Sequence, residues 1–237
     1  MPILERKLID MKASLCIVLT AAMLALAALI AVPTEAGAVV GAEAQAQSQV
    51  QSGPISAEDR AALVDLLTKT KADFIQSIKG LSEAQWQFKP SPFSWSVGQT
   101  AEHIILSEEF LFGYSQQLLK TPAQSRTGPS GTDEDKGLLT KVGDRTHRVM
   151  NPAAIAPRGR FKTPDEAIAE FTRRRDRSLE YARTTQDDLR HHLTADGSGG
   201  QLDAYEFLLL MAGHSGRHTQ QIKEIEANPK YPSANAK

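Results

Sequence analysis

The chain has 237 residues, of which 41% are hydrophobic and 23% are charged. These fractions lie close to those of globular proteins, so they argue against wholesale disorder and against a polytopic membrane protein. The 27 Lys and Arg residues and 28 Asp and Glu residues give a net charge of -1, which argues against nucleic-acid binding by bulk electrostatics.

The N-terminal segment has the order of features that is typical of a secretory signal. Three basic residues precede an uncharged apolar run at residues 15–32, and small-residue cleavage patterns follow at residues 36–38 and 42–44. We therefore expect residues 1–38 to be a signal peptide and the protein to be exported, periplasmic or secreted. A membrane anchor is the alternative, because the run is just long enough to span a bilayer.

The rest of the chain divides by composition. The only cysteine, Cys16, lies in the apolar run, so the exported chain would contain neither a disulfide nor a cysteine-ligated metal. Residues 39–55 are rich in Ala, Gln, Ser and Gly and are predicted to form a flexible linker. The folded domain is predicted to span residues 56–232, with residues 233–237 as a tail.

Four helices are predicted from four capping patterns. In each pattern a Ser, Thr or Asp is followed three positions later by an acidic or amide residue, and the two can satisfy free N–H groups at a helix start. The four pairs are Ser56 with Asp59, Ser96 with Gln99, Thr163 with Glu166, and Asp203 with Glu206. Apolar residues at helical spacing follow each start, and no segment has the alternation typical of a strand. A short helical turn is predicted at residues 82–87.

The connection between the second and third predicted helices, residues 121–162, is too long for a simple loop. It is predicted to be a crossover with a short helix near residues 138–149. The predicted fold class is therefore all-α, a four-helix bundle with a long connection between helices 2 and 3.

A basic cluster on the third helix is predicted to be a solvated face. Its members are Arg173, Arg174, Arg175 and Arg177.

The histidines are the most informative residues for function. His214 and His218 are four residues apart on the fourth predicted helix, so their rings leave the same face, within its apolar stripe. Buried imidazole nitrogens need partners, and a divalent metal ion satisfies both rings at once. A pair of this kind alone, however, more often consists of hydrogen-bonded core histidines. His103 also faces inward, from the second helix. Three inward histidines on two helices favour a metal site.

The other histidines are interpreted as structural. His191 and His192 follow the predicted end of the third helix, where solvated or capping roles are expected. His147 lies between two arginines and is expected to be exposed.

Several motifs together make the chain resemble the DinB-like superfamily of four-helix bundles over residues 57–232. They are the sequence from Trp95 through Gln99 that leads into Ala101, Glu102, His103 and Ile104, the spacing of the third helix, the run from His214 to Ile222, and the final Pro229, Lys230, Tyr231 and Pro232. The resemblance implies that His103, His214 and His218 bind a divalent metal ion.

Nitrogen ligands suit zinc, nickel or iron, and three of them leave at least one coordination position open. The expected function is a metal-dependent hydrolase or transferase acting on a small molecule. The alternative is a non-enzymatic, stress-related bundle that binds metal or a partner. Arg217 and Gln221 flank the ligands and are candidates for contacts to them or to substrate. No general base is identified, no nucleic-acid partner is expected, and a homodimer is left open.

Overall fold

The computed structural model describes residues 53–128, 130–146, 152–195 and 200–234. The predicted signal peptide, nearly all of the predicted linker, and His147 lie outside these residues. Within the described ranges, no helix is both long enough and apolar enough to cross a membrane.

The regular secondary structure of the described residues is helical, which confirms the predicted all-α class. The helices are α1 (Ala57–Ile78), α2 (Glu83–Gln87), α3 (Val97–Leu118), α4 (Thr132–Gly143), α5 (Pro164–Thr184) and α6 (Ala204–Glu226), with a 3-10 turn at Ala153–Ile155. In these ranges, β-type backbone pairing is limited to one isolated bridge, between Leu193 and Asp203. The four long helices are α1, α3, α5 and α6, and the long connection joins α3 to α5.

The predicted helix starts are confirmed by their hydrogen bonds. The side chains of Ser56, Ser96, Thr163 and Asp203 each accept from the backbone N–H three residues later. At Ser96 and Asp203 the third helical residue also returns a side-chain bond to the cap, which completes a capping box. Ser82 caps the short helix α2 in the same way. These caps fix where each helix begins and therefore which side chains face the core.

The connection contains a short helix as predicted, but the helix begins and ends earlier than expected. That helix was expected near residues 138–149, and α4 instead occupies Thr132–Gly143. Its first turn holds Asp133, Glu134 and Asp135, whose charges favour a helix N-terminus. The apolar pattern begins only at Leu138, and Gly131 precedes the helix without a side-chain cap, so neither usual signal marks the start.

The long helices form a closed ring in cross-section. Helix α6 packs against α1 and α3, and α5 packs against the same two, so the order around the bundle is α1, α6, α3, α5. Helix α4 packs on the outside of α6. The contact is close, because a Cβ atom at Gly213 would lie 3.0 Å from Cδ2 of Leu139.

A buried polar layer separates two apolar parts of the core. One part includes Leu63, Leu67, Leu111 and Met211, and the other includes Phe74, Ile104, Phe171 and Ile222. Between them, each long helix contributes buried polar residues. These are Thr70 from α1, Ser107 and Glu108 from α3, Arg175 and Ser178 from α5, and Ser215 and Thr219 from α6.

Arg175 corrects the prediction that the basic cluster on α5 is a solvated face. Its side chain is fully buried and makes a two-point hydrogen-bonded pair with Glu108 at 2.7 and 2.6 Å. It also donates to the Leu67 carbonyl and to the Thr70 hydroxyl. Arg175 lies four residues after Phe171, on the core face of α5, and the charged neighbours in sequence hid this periodicity.

We expect the Arg175 and Glu108 pair to be strongly coupled. Replacing Arg175 with Met leaves the Glu108 carboxylate buried without its counterion, so the free energy of unfolding should fall by about 3–5 kcal/mol. A second replacement, Glu108→Leu, should recover part of that loss. Urea unfolding of the single and double variants measures both effects. Arg173→Met, which removes an exposed arginine, is the control and should cost about 1 kcal/mol or less. Additive losses in the double variant would contradict direct coupling.

Candidate metal centre

The structure brings His103, His214 and His218 together where α3 meets α6. One ring nitrogen from each lies within 4.8 Å of the other two. The ring centroids are 4.9, 4.6 and 4.4 Å apart. Among the described residues, this is the only group of three His, Cys, Asp or Glu side chains that lie close enough together to share one ion. On α6 the two histidines bracket Ser215, so the cluster adjoins the buried polar layer.

His103 is held in one tautomer by the long connection. Its Nδ1 lies 2.9 Å from the backbone oxygen of Ile155, which belongs to the 3-10 turn. A carbonyl oxygen can only accept, so Nδ1 carries the proton and donates it. The Nε2 lone pair of a neutral His103 is therefore directed into the cluster, where it lies 3.1 Å from His214 Nε2.

His218 is oriented by Gln221, one turn further along α6. Nδ1 of His218 lies 2.8 Å from Oε1 of Gln221. The Arg145 guanidinium, which has no acceptor, approaches the same oxygen at 3.5 Å, and this fixes which end of the amide faces the histidine. Nδ1 of His218 is thus the donor, and its Nε2 is the atom with a free lone pair.

His214 cannot satisfy both of its neighbours. Neutral imidazole carries one N–H, so His214 can donate to at most one of the two Nε2 lone pairs supplied by His103 and His218. Its own Nδ1 is buried with no hydrogen-bond partner. A buried lone pair without a donor is costly, and a divalent cation would accept one electron pair from each of the three rings, with Nε2 as the ligand atom of His214. Nδ1 of His214 would then carry the ring proton.

The spacing also fits a shared ion. Ligand nitrogens at about 2.0–2.1 Å from a zinc ion lie about 3 to 3.4 Å apart, depending on the angle at the metal. The 3.1 Å between Nε2 of His103 and Nε2 of His214 falls in that range. The three neutral nitrogen donors therefore fit a divalent ion in chemistry, and the pair from His103 and His214 also fits in distance, with the ligand nitrogen of His218 within 4.8 Å of both.

Burial keeps the three rings neutral. Desolvation lowers the pKa of His103, and it lowers the pKa of His214 well below 6.5, with further lowering by repulsion from His218 and His103 when they are protonated. Desolvation is also the main cause that lowers the pKa of His218 to about 3. Neutral imidazole is the form that binds metal, so at neutral pH no proton has to leave before an ion binds.

Trp95 forms a wall of the cluster that the spacing of the histidines did not reveal. Its ring centroid lies 4.9 Å from that of His103 and 6.4 Å from that of His218. Trp95 immediately precedes the cap residue Ser96, so the capping box that starts α3 also places this indole beside the histidines. The sequence contained the tryptophan only as part of a motif and gave no signal for its contact.

The remaining residues named from the sequence lie around the cluster or away from it. Gln221 contacts His218, as described above. Arg217 donates to the backbone oxygens of Val142 and Asp144 at the end of α4. His191 pairs with Asp188 in the loop after α5, and Nδ1 of His192 donates to the Thr121 carbonyl. Neither of these two histidines belongs to the cluster formed by His103, His214 and His218.

The lowered pKa values predict a pH-dependent stability of the metal-free protein. An unfolded chain protonates its histidines below about pH 6.5, while the folded chain keeps His218 neutral to about pH 3. The unfolded state then binds more protons, so stability falls as the pH drops through this window. The slope should be roughly 1.4 kcal/mol per pH unit for one histidine.

This contribution is measured as the difference between wild type and His218→Gln, in chelator, from urea unfolding at several pH values between 4 and 7. Titrating groups that do not interact with His218 cancel in the difference. A difference that does not change with pH would show that His218 is not held neutral by the fold.

Comparison with known proteins agrees with the observed fold. Residues 66–222, more than half of the chain, match the sequence model described as the DinB superfamily. All three histidines of the cluster fall in this range. No curated protein and no solved structure matches the chain. The length of the match, together with the helical bundle, shows that the chain belongs to the DinB superfamily.

Proposed function

We propose that this protein is exported and binds a divalent metal ion through His103, His214 and His218, and that it acts on a small molecule as a metal-dependent hydrolase or transferase. The observation that carries the proposal is the convergence of three neutral imidazoles, which together offer more lone pairs than their own N–H groups can satisfy. Zinc, nickel and iron all suit such a donor set.

The arrangement of the ligands favours a reactive site over a closed structural one. Three protein ligands leave at least one position of a divalent ion for another molecule, whereas structural zinc sites have four protein ligands. When bound, such an ion acts as a Lewis acid on an oxygen or sulfur atom of the substrate. His214 and His218 are partly exposed, and Trp95, also partly exposed, supplies an apolar wall for a small molecule.

A second candidate function, metal binding without catalysis, is favoured by the state of the nearby carboxylates. Glu102 accepts hydrogen bonds from the backbone of the long connection, and Glu108 is paired with Arg175. Glu109 is paired with Arg177 on the surface. The acids closest to His103 in sequence are thus engaged elsewhere, and none is free to act as a general base.

Export is supported by the order of basic, apolar and small residues in residues 1–38. We expect the mature protein to begin near Val39 and to be found outside the cytoplasm. N-terminal sequencing of protein from the periplasm or medium tests this. Residues 1–38 retained on a membrane-bound form would instead favour the anchor.

Replacing His218 with Ala should abolish stoichiometric metal binding. Metal that binds only the folded state stabilises it by about 2.7 kcal/mol at a hundredfold excess over Kd, so the wild type should melt at a higher temperature with metal and His218→Ala should not. Elemental analysis of tag-free protein and thermal unfolding with and without zinc measure both effects. His192→Ala, which removes a histidine outside the cluster, should behave like wild type.

The same samples separate the two candidate functions. Cobalt-substituted wild type should change its visible spectrum when a small thiol or phosphate ester enters an open coordination position. A cobalt-loaded protein whose visible spectrum does not change when such molecules are added would support metal binding without catalysis. A wild type that takes up no metal would contradict both candidates and would leave the histidines as structural residues.

A further inference from the structure

The long connection between α3 and α5 returns to the bundle beside the histidines, and two adjacent residues of α3 receive it. His103 donates from Nδ1 to the Ile155 carbonyl. Glu102, the preceding residue, is 1% exposed and binds the connection three residues further on, at residues 158–160. The two contacts start from neighbouring residues of α3 and together hold the short stretch of the connection at residues 155–160.

The Glu102 carboxylate sits in a cradle of backbone N–H groups. Its Oε1 accepts from the Arg158 amide at 2.9 Å and from the Arg160 guanidinium at 2.9 Å. Its Oε2 accepts from the amides of Gly159 at 2.6 Å and Arg160 at 3.0 Å. Successive N–H groups converge on one anion in this way when the chain makes a tight turn, and here Gly159 has a φ of 75°, which favours glycine.

We propose that Glu102 is a positioning residue for the metal centre. By holding residues 158–160, it keeps the Ile155 carbonyl against Nδ1 of His103, so that the Nε2 lone pair of His103 points at the ion. The long connection thereby becomes part of the metal site although it supplies no ligand. This inference rests on the proposed metal binding.

The chemistry of the two groups explains why a carboxylate is needed. Four donors converge on Glu102, and a carboxylate is acceptor-only, so it can receive all of them. A Gln in its place would turn an NH2 group towards backbone N–H donors and would release the turn. His103 could then carry its proton on either nitrogen, and the population with a free Nε2 lone pair would fall.

The coupling must also act in the opposite direction. If a docked connection strengthens metal binding, then metal binding must stabilise the docked connection by the same factor, because linked equilibria are reciprocal. The amides of residues 158–160 should therefore exchange more slowly with solvent in metal-loaded wild-type protein than in the metal-free form.

Two variants test the contact from its two sides. Glu102→Gln changes the acceptor, and Gly159→Ala strains the turn that presents the donors without altering a helix. Each should weaken zinc affinity by about 10- to 100-fold, the usual effect of losing a partner that orients a metal-binding histidine. Glu166→Gln is the matched control, because Glu166 also accepts from a backbone amide of the connection, that of Lys162 at 2.7 Å, where the connection joins α5. It should leave zinc affinity unchanged.

A spectroscopic measurement distinguishes positioning from general stabilisation. Nitrogen NMR of the metal-free protein should show His103 protonated at Nδ1 in wild type and in Glu166→Gln, and a mixture of tautomers in Glu102→Gln and Gly159→Ala. Should Glu102→Gln fail to fold, Gly159→Ala and the exchange rates of wild type decide.

The outcomes separate this inference from the proposed function. A wild type that binds no zinc overturns the proposed function, and the inference with it. A wild type that binds zinc overturns the inference alone if the variants keep wild-type affinity and an unmixed His103 tautomer, or if zinc leaves amide exchange at residues 158–160 unchanged.

Discussion

Pairing of polar groups inside the core is the constraint on which the rest of this bundle depends. All four long helices place polar side chains at the same level, between two apolar clusters, where an unpaired group would cost several kcal/mol of stability. Arg175 meets that constraint by bonding to Glu108 on α3 and to a carbonyl and a hydroxyl of α1. The registers of α1, α3 and α5 are therefore fixed together, and the position of His103 on α3 follows from them.

The helix starts and the histidine cluster could be predicted because both depend on side chains that recur at short, regular spacing in the sequence. A capping residue and its partner are three positions apart, and His214 and His218 are one turn apart. To include His103 in the cluster, the prediction needed only the further assumption that this side of its helix faces the same core. Arg175 was missed for the opposite reason, since a run of charged neighbours conceals one residue that lies on the core face.

The docking of the long connection could not be predicted from the sequence, because its key atoms belong to the backbone. Every residue has a carbonyl oxygen, and nothing in the identity of Ile155 indicates that its oxygen faces His103. The Glu102 side chain also contacts the connection, but its partners are mainly backbone amides that any sequence would offer. Gly159, whose φ is positive, is a residue of the turn whose identity the backbone conformation favours.

The close approach at Gly213 has a consequence for how the family can vary. Helix α4 lies against α6 one residue before His214, and the missing side chain at Gly213 sets the distance between the two helices. A relative with a larger residue there would have to seat this accessory helix farther out or do without it. A position that binds nothing thus governs how closely the outer layer can shield the histidine-bearing helix from solvent.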